Sequence, residues 1–313
     1  MLNTKKNYLK NINIYEVFLK ISNKYPNNIF LSYPSRTSNA KTVNYTYNQV
    51  LLQIENFSNY FNSLRLRAKN RVSIMIGNVP EFFILKLALN SMGISCVPIN
   101  ADLSIREINY IINHSNSKLL IADSKYTRAL KSLEVIKSRK ILLRIYENGK
   151  IIRKSDNKVK RTNYKKKKIN SNYESSLLYT SGTTGKPKAC ILTHEYEINA
   201  GLNYIKKKDF ISLKKNNERI YNCLPVHHVN AGILSFYAAL MTANCQIQSD
   251  RFSASNFWRE IKYSKATVFH YLGVMASLLL KNNRSIFEKN NSLRVGVGAG
   301  IEPSLHKLFE KRF

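Results

Sequence analysis

Residues 177–188, Leu-Leu-Tyr-Thr-Ser-Gly-Thr-Thr-Gly-Lys-Pro-Lys, join an apolar run to small hydroxyl residues and glycines, then to two lysines around a proline. Such a loop suits a polyphosphate. Gly182 and Gly185 let backbone N–H groups approach closely, and Thr180, Ser181, Thr183 and Thr184 offer hydroxyls. Lys186 and Lys188 supply countercharge. The alternative is a glycine-rich turn without a ligand, which has little use for four hydroxyls and two lysines. Other phosphate patterns fit badly. A G-x-x-x-x-G-K-[ST] loop needs wider glycine spacing, and Pro187 follows Lys186 where Ser or Thr belongs. Residues 296–300, Gly-Val-Gly-Ala-Gly, do not form G-x-G-x-x-G, and no G-x-S-x-G elbow for a hydrolase occurs.

The histidines and cysteines offer less. His194 opens a Thr-His-Glu run, but no second histidine stands four residues on, so a zinc-binding helix is not predicted. His114, His270 and His306 are isolated and read as structural. Cys96, Cys190, Cys223 and Cys245 form no C-x-x-C pair, which argues against a structural zinc site or a disulfide framework and fits a reducing cytosol. No metal ligand set is predicted.

These residues need elements to hold them, and the periodicity alternates between helix and strand almost from the start. Ile14, Val17, Phe18 and Ile21 fall on one helical face that stops at Pro26; a second helix carries Val50, Ile54, Phe57, Phe61 and Leu64. Residues 71–76 read as a strand, followed by Pro80 at the first turn of a helix that ends at Gly93. Residues 94–99, 118–122 and 140–146 read as further strands. Ser104 and Glu107 have capping-box spacing. After residue 175 come strands at 176–180, 189–193, 219–224, 267–271 and 293–297, with a helix at 255–264 and a last one opened by Pro303. Such alternation predicts an α/β fold with an open, mainly parallel sheet covered by helices.

Between the two runs, ten of the nineteen positions at 150–168 are Lys or Arg, against one acid, Asp156. Charge of that density keeps a segment solvated. The chain is therefore divided into an α/β subdomain at 1–149, a basic linker or loop at 150–175, and a second α/β subdomain at 176–313. The whole chain has 50 Lys and Arg against 19 Asp and Glu, a formal charge of +31. Two readings stay open: attraction to polyanions, or a compositional bias toward Lys, Asn, Ile and Tyr spread over an ordinary enzyme. The lysines are scattered through every segment, and no helix-turn-helix, zinc-finger or RNP motif is present, so no specific nucleic-acid partner is predicted. Residues 220–249 lack Asp, Glu, Lys and Arg, but polar residues and Pro225 interrupt them and 231–241 is too short to cross a bilayer. No secretory signal opens the chain. A cytoplasmic protein without a membrane span is expected.

Residues 180–188 resemble the signature loop of the AMP-forming acyl-CoA synthetase, luciferase and peptide-synthetase adenylation superfamily. The resemblance runs over about residues 10–313. It includes Tyr45-Thr46-Tyr47, Arg71-Val72-Ser73-Ile74, Asn78-Val79-Pro80-Glu81-Phe82 and residues 93–100. Residues 225–231 are similar to the family's P-x-F-H segment, with His228 on the His and His227 where Phe is usual. Residues 294–300 resemble the strand and turn behind the adenine and acyl pocket. Residues 253–263 look most like medium- and short-chain or carnitine-type ligases.

The resemblance implies the N-terminal domain of the adenylate-forming fold: two stacked, mainly parallel sheets with covering helices. It implies an enzyme that joins a carboxylic acid to ATP, releases pyrophosphate and passes the acyl group to CoA. Thr180, Ser181, Gly182, Thr183, Thr184, Gly185, Lys186 and Lys188 would hold the β- and γ-phosphates, with Lys188 the main countercharge. His228 would line the acyl entrance, and Gly298, Ala299 and Gly300 would form the wall beside adenine and substrate. A buried core histidine and a plain strand-to-turn exit are the alternatives for these last two. Family members continue past the segment matching 311–313 into a Tyr-Gly-x-Thr-Glu motif whose Glu serves Mg²⁺, a Thr-Gly-Asp, a hinge and a small domain with a catalytic Lys. None of these is in the 313 residues, and Ala189 replaces the glycine usual after the loop. The expectation is an incomplete ligase that needs a missing C-terminal half. The competing expectation is a non-catalytic remnant that binds nucleotide or a partner protein.

Overall fold

The computed structural model describes residues 11–34, 42–138, 141–147, 150–152, 168–180 and 186–313. In chain order the strands among them are β1 (Ile29–Tyr33), β2 (Val43–Thr46), β3 (Arg71–Met75), β4 (Ser95–Pro98), β5 (Leu119–Asp123), β6 (Leu142–Glu147) and β7 (Lys150–Ile152). There follow β8 (Glu174–Thr180), β9 (Lys188–Thr193), β10 (Arg219–Asn222), β11 (Cys245–Gln248), β12 (Val268–Leu272) and β13 (Val295–Ala299). They form two sheets of mainly parallel strands, as the family resemblance implies, where the alternation by itself predicts a single open sheet.

The chain divides into two compact units. One comprises the described parts of Met1–Lys20, Leu51–Gly77 and Glu81–Asn199; the other those of Ile21–Val50, Asn78–Pro80 and Ala200–Phe313. This differs from the expected division at 149 and 176. β8 and β9 join β3–β7, because β8 hydrogen-bonds to β4 beside it, while β1 joins β11. Partner choice in a sheet is non-local, and chain order does not reveal it. The expected linker also contributes structure: Lys150–Ile152 closes a hairpin with β6, and β8 begins at Glu174. Residues 153–167, the rest of that basic stretch, lie outside the described residues.

The first unit has sheet order β7-β6-β5-β3-β4-β8-β9, parallel except for the antiparallel pairs at its two ends. The helix Pro80–Ser91, PEFFILKLALNS, is mostly apolar with no continuous polar face, and every residue from Glu81 to Ser91 is buried. A helix without a polar face belongs inside a fold. The helix Ile105–His114 instead buries one stripe, Ile108, Ile111 and Ile112, against Met75, Val97, Leu120 and Leu177. Its predicted capping box is formed. Ser104 Oγ accepts from Glu107 N at 3.3 Å, and Ser104 N donates to the Glu107 carboxylate at 2.9 Å.

The second unit has sheet order β13-β12-β10-β11-β1-β2, parallel except for the β1–β2 pair. Tyr221, Ile247, Phe257, Trp258, Ile261 and Phe269 form its main core. β10, β12 and β13 are adjacent and parallel, so their carboxyl ends share one edge, where open α/β sheets bind ligands. β13 is an end strand of this sheet.

Candidate functional site

The predicted phosphate loop joins β8 to β9 in the first unit. The two strands pair antiparallel from Glu174 opposite Thr193 to Thr180 opposite Lys188. At the start of β8, Arg71 Nε and Nη2 reach the two Glu174 carboxylate oxygens at 2.8 Å each. Along it Leu177 is buried in the core, and Ser175 Oγ donates to Leu192 O at 3.0 Å. Near its end Tyr179 OH lies 2.8 Å from His114 Nδ1. Burial, reinforced by Tyr110, pushes the Tyr179 phenol up to about 12. Because β8 runs parallel to β4, Thr180 stands beyond a carboxyl end of the sheet.

Thr180, Lys186 and Lys188 are exposed on this hairpin. Ser181, Gly182, Thr183, Thr184 and Gly185 lie outside the described residues. Thr180 and Lys188 on the paired strands, with Lys186 just before β9, are a donor set for a polyanion. Ala189, the departure from the family pattern, packs its methyl against the core cluster that contains Leu177.

His228 and residues 298–300 belong to the second unit, both at the shared carboxyl edge. β10 ends at Asn222, and the chain turns through Pro225 before the π-helix Asn230–Ser235. His228 N donates to Pro225 O at 3.0 Å, and Gly232 N donates to His228 O at 2.9 Å. His228 is exposed, His227 is half-buried, and their ring centroids are 4.4 Å apart. Desolvation, helped by His228, lowers the His227 pKa to about 4, and partial desolvation also lowers that of His228. The two rings therefore stand neutral at pH 7, which suits an apolar entrance better than an anion site.

Amides that sequence reading does not single out hold this turn. Asn78 Nδ2 donates to Leu224 O at 3.1 Å and Ser249 O at 3.2 Å, and its Oδ1 accepts from Val226 N at 2.9 Å. Asn222 Oδ1 accepts from Leu224 N at 2.9 Å, and Gln248 Nε2 donates to Leu224 O at 3.0 Å. His270, expected to be an isolated structural residue, is part of the surrounding network. Its Nδ1 lies 2.8 Å from Asn230 Oδ1, its Nε2 lies 2.9 Å from Tyr204 OH, and burial lowers its pKa to about 4. Asn230 Oδ1 also accepts from Asn222 Nδ2 at 3.0 Å. The neutral ring thus donates from Nδ1 and accepts the Tyr204 hydroxyl at Nε2. The signal for these residues was weak: an Asn before a helix-opening Pro, and a His inside an apolar strand.

Gly298 and Ala299 end β13, and Gly300 follows with φ +77°, a backbone region that favours glycine. A Cβ on Gly298 would come within 2.2 Å of Tyr271 O, so close packing of β12 on β13 accounts for that glycine without a ligand. Beside these glycines lies a cavity of about 630 Å³, lined by Trp258, Phe269, Tyr271, Gly296, Gly298 and Phe309 among others. Its size and aromatic lining suit a small organic ligand. Among the described residues no group of three or more His, Cys, Asp or Glu could hold a metal ion. Nor is any helix among them long and apolar enough to cross a membrane.

Comparison with known proteins supplies the frame for these parts. Over 305 residues the chain is 24% identical to the very long-chain fatty acid transport protein of Cochliobolus heterostrophus, covering 97% of this chain and 46% of that protein. Over 247 residues it is 26% identical to the medium/long-chain-fatty-acid–CoA ligase FadD6 of Mycobacterium tuberculosis, covering 77% and 40%. The chain thus spans less than half the length of these curated relatives. The solved N-terminal domain of FACL13 from Mycobacterium tuberculosis shares the fold, with a TM-score of 0.80 at 19% identity, covering 96% of this chain and 73% of that one. The model of the AMP-binding enzyme family matches residues 18–313, and the chain belongs to that family.

Proposed function

We propose that this chain is the phosphate-binding and acyl-binding portion of an AMP-forming acid–CoA ligase. The observation that carries the reading is the hairpin, where Thr180 and Lys188 close a loop of hydroxyls and glycines at the carboxyl edge of a parallel sheet. The loop 180–188 holds the β- and γ-phosphates of ATP, with Lys188 neutralising the pyrophosphate that departs. The carboxylic acid enters past His228 and lies along residues 298–300. In the reaction a carboxylate oxygen attacks the α-phosphate, pyrophosphate leaves, and the CoA thiol then displaces AMP from the acyl-adenylate. Bringing two anions together makes positioning and charge neutralisation the protein's main contributions. The charge of +31 is read as compositional, and a cytoplasmic location goes with this reading.

Photolabelling with an azido-ATP followed by peptide mapping tests this directly. Label on the peptide holding residues 180–188, displaced by excess ATP, is the expected result. Label confined to other peptides contradicts it. Labelling of the hairpin without any carboxylate-dependent exchange of pyrophosphate into ATP favours the second reading, a nucleotide-binding protein without turnover.

A further inference from the structure

The turn that carries His227 and His228 follows the last residue of β10, so the sheet ladder no longer fixes it. Three side-chain amides replace the ladder. Leu224 N is taken by Asn222, Leu224 O by Asn78 and Gln248, and Val226 N by Asn78. Of the three, Asn78 alone grips the turn at two points of its backbone and also reaches Ser249 at the end of β11. It is 8% exposed and uses both ends of its amide. Reversing the amide would set its oxygen against carbonyl oxygens and its NH₂ against the Val226 N–H, so its partners fix its orientation. On the far side Gly232 closes the turn: a Cβ there would lie 2.3 Å from Val226 O.

We propose that Asn78 is the positioning residue of the histidine turn, setting through the Leu224–Val226 backbone where the two imidazoles stand. The proposal rests on the functional reading only for what those imidazoles face; the control of their position is a matter of geometry. No other residue type fills this role. Asp offers acceptors against two carbonyls, and an aliphatic residue leaves the Val226 N–H without its bond.

The test uses the full chain with ¹⁵N-labelled histidine. In Asn78→Asp, which keeps the size and the acceptor for Val226, the ring resonances of His227 and His228 should move by more than a linewidth. The resonances of His114, in the other unit, should stay in place, and unfolding should remain cooperative. A folded variant with all six histidines unmoved overturns the proposal. If the variant does not fold, hydrogen exchange on the unmodified chain decides. The Val226 amide should be protected as strongly as those of β10, and exchange at the rate of an open loop contradicts the role. Neither readout needs nucleotide or turnover, so a chain that binds no ATP would sink the functional reading and leave this one standing.

Discussion

Lys86 and Glu197 form an ion pair inside the first unit, Nζ to carboxylate oxygen 3.0 Å, with side chains 2% and 0% exposed. Lys86 comes from the buried helix Pro80–Ser91 and Glu197 from the helix His194–Ile205, which follows the phosphate hairpin directly. The pair ties that second helix to the core.

Glu197→Ala should therefore destabilise the chain by about 3–5 kcal/mol, since it leaves an ammonium buried without its carboxylate. Replacing both residues, Lys86→Met with Glu197→Leu, should recover most of that loss. Urea unfolding of the unmodified chain and the two variants measures both effects. Equal losses in the single and double variants would contradict the assignment.

Acid should weaken the fold before the carboxylates titrate. His194 and His270 are both buried, and burial holds each pKa down to about 4 against about 6.5 in the unfolded chain. The unfolded state then binds the extra protons, so stability is full above about pH 6.5 and falls on the way down to about 4. Each residue should remove about 2 kcal/mol by pH 5. A urea midpoint that stays level between pH 7 and pH 5 would rule this out.

The second unit should be adhesive. β13 is an end strand of its sheet, and Phe210, Ile286 and Leu308 are exposed, Ile286 by 85%. Unpaired strand edges and exposed apolar side chains both promote association. Light scattering after size exclusion should show self-association that rises with concentration and falls in the double variant Ile286→Lys, Leu308→Lys. A monodisperse monomer at all concentrations is the opposing result.

Local signals in the sequence proved the most legible. The Ser104–Glu107 capping box, Pro80 opening a helix and the strands flanking the phosphate loop all depend on neighbours within a few residues. The sheet order did not show, because β1 finds its parallel partner β11 more than two hundred residues away. β11 itself was hidden by Gln246 and Gln248, both fully buried, which break an apolar pattern. Only the fold shows that Gln248 donates to Leu224 O. Asn78 and His270 were opaque for the same reason: a buried polar residue is explained by its partners, and these come from distant turns and helices. Lys188 was singled out because lysine beside glycines and hydroxyls suits a polyphosphate; the fold adds its exposed place opposite Thr180.

ATP binding by the chain and by Lys188→Ala, measured by titration calorimetry at one fixed salt concentration, is the most direct test of the hairpin as a polyphosphate site. Lys188 is exposed opposite Thr180 and can be replaced without opening a core. Loss of one charge-assisted contact to phosphate should weaken ATP binding by about tenfold or more. AMP, which lacks the β- and γ-phosphates, should bind both proteins alike. ATP bound equally well by the two proteins would contradict the assignment of the 180–188 loop.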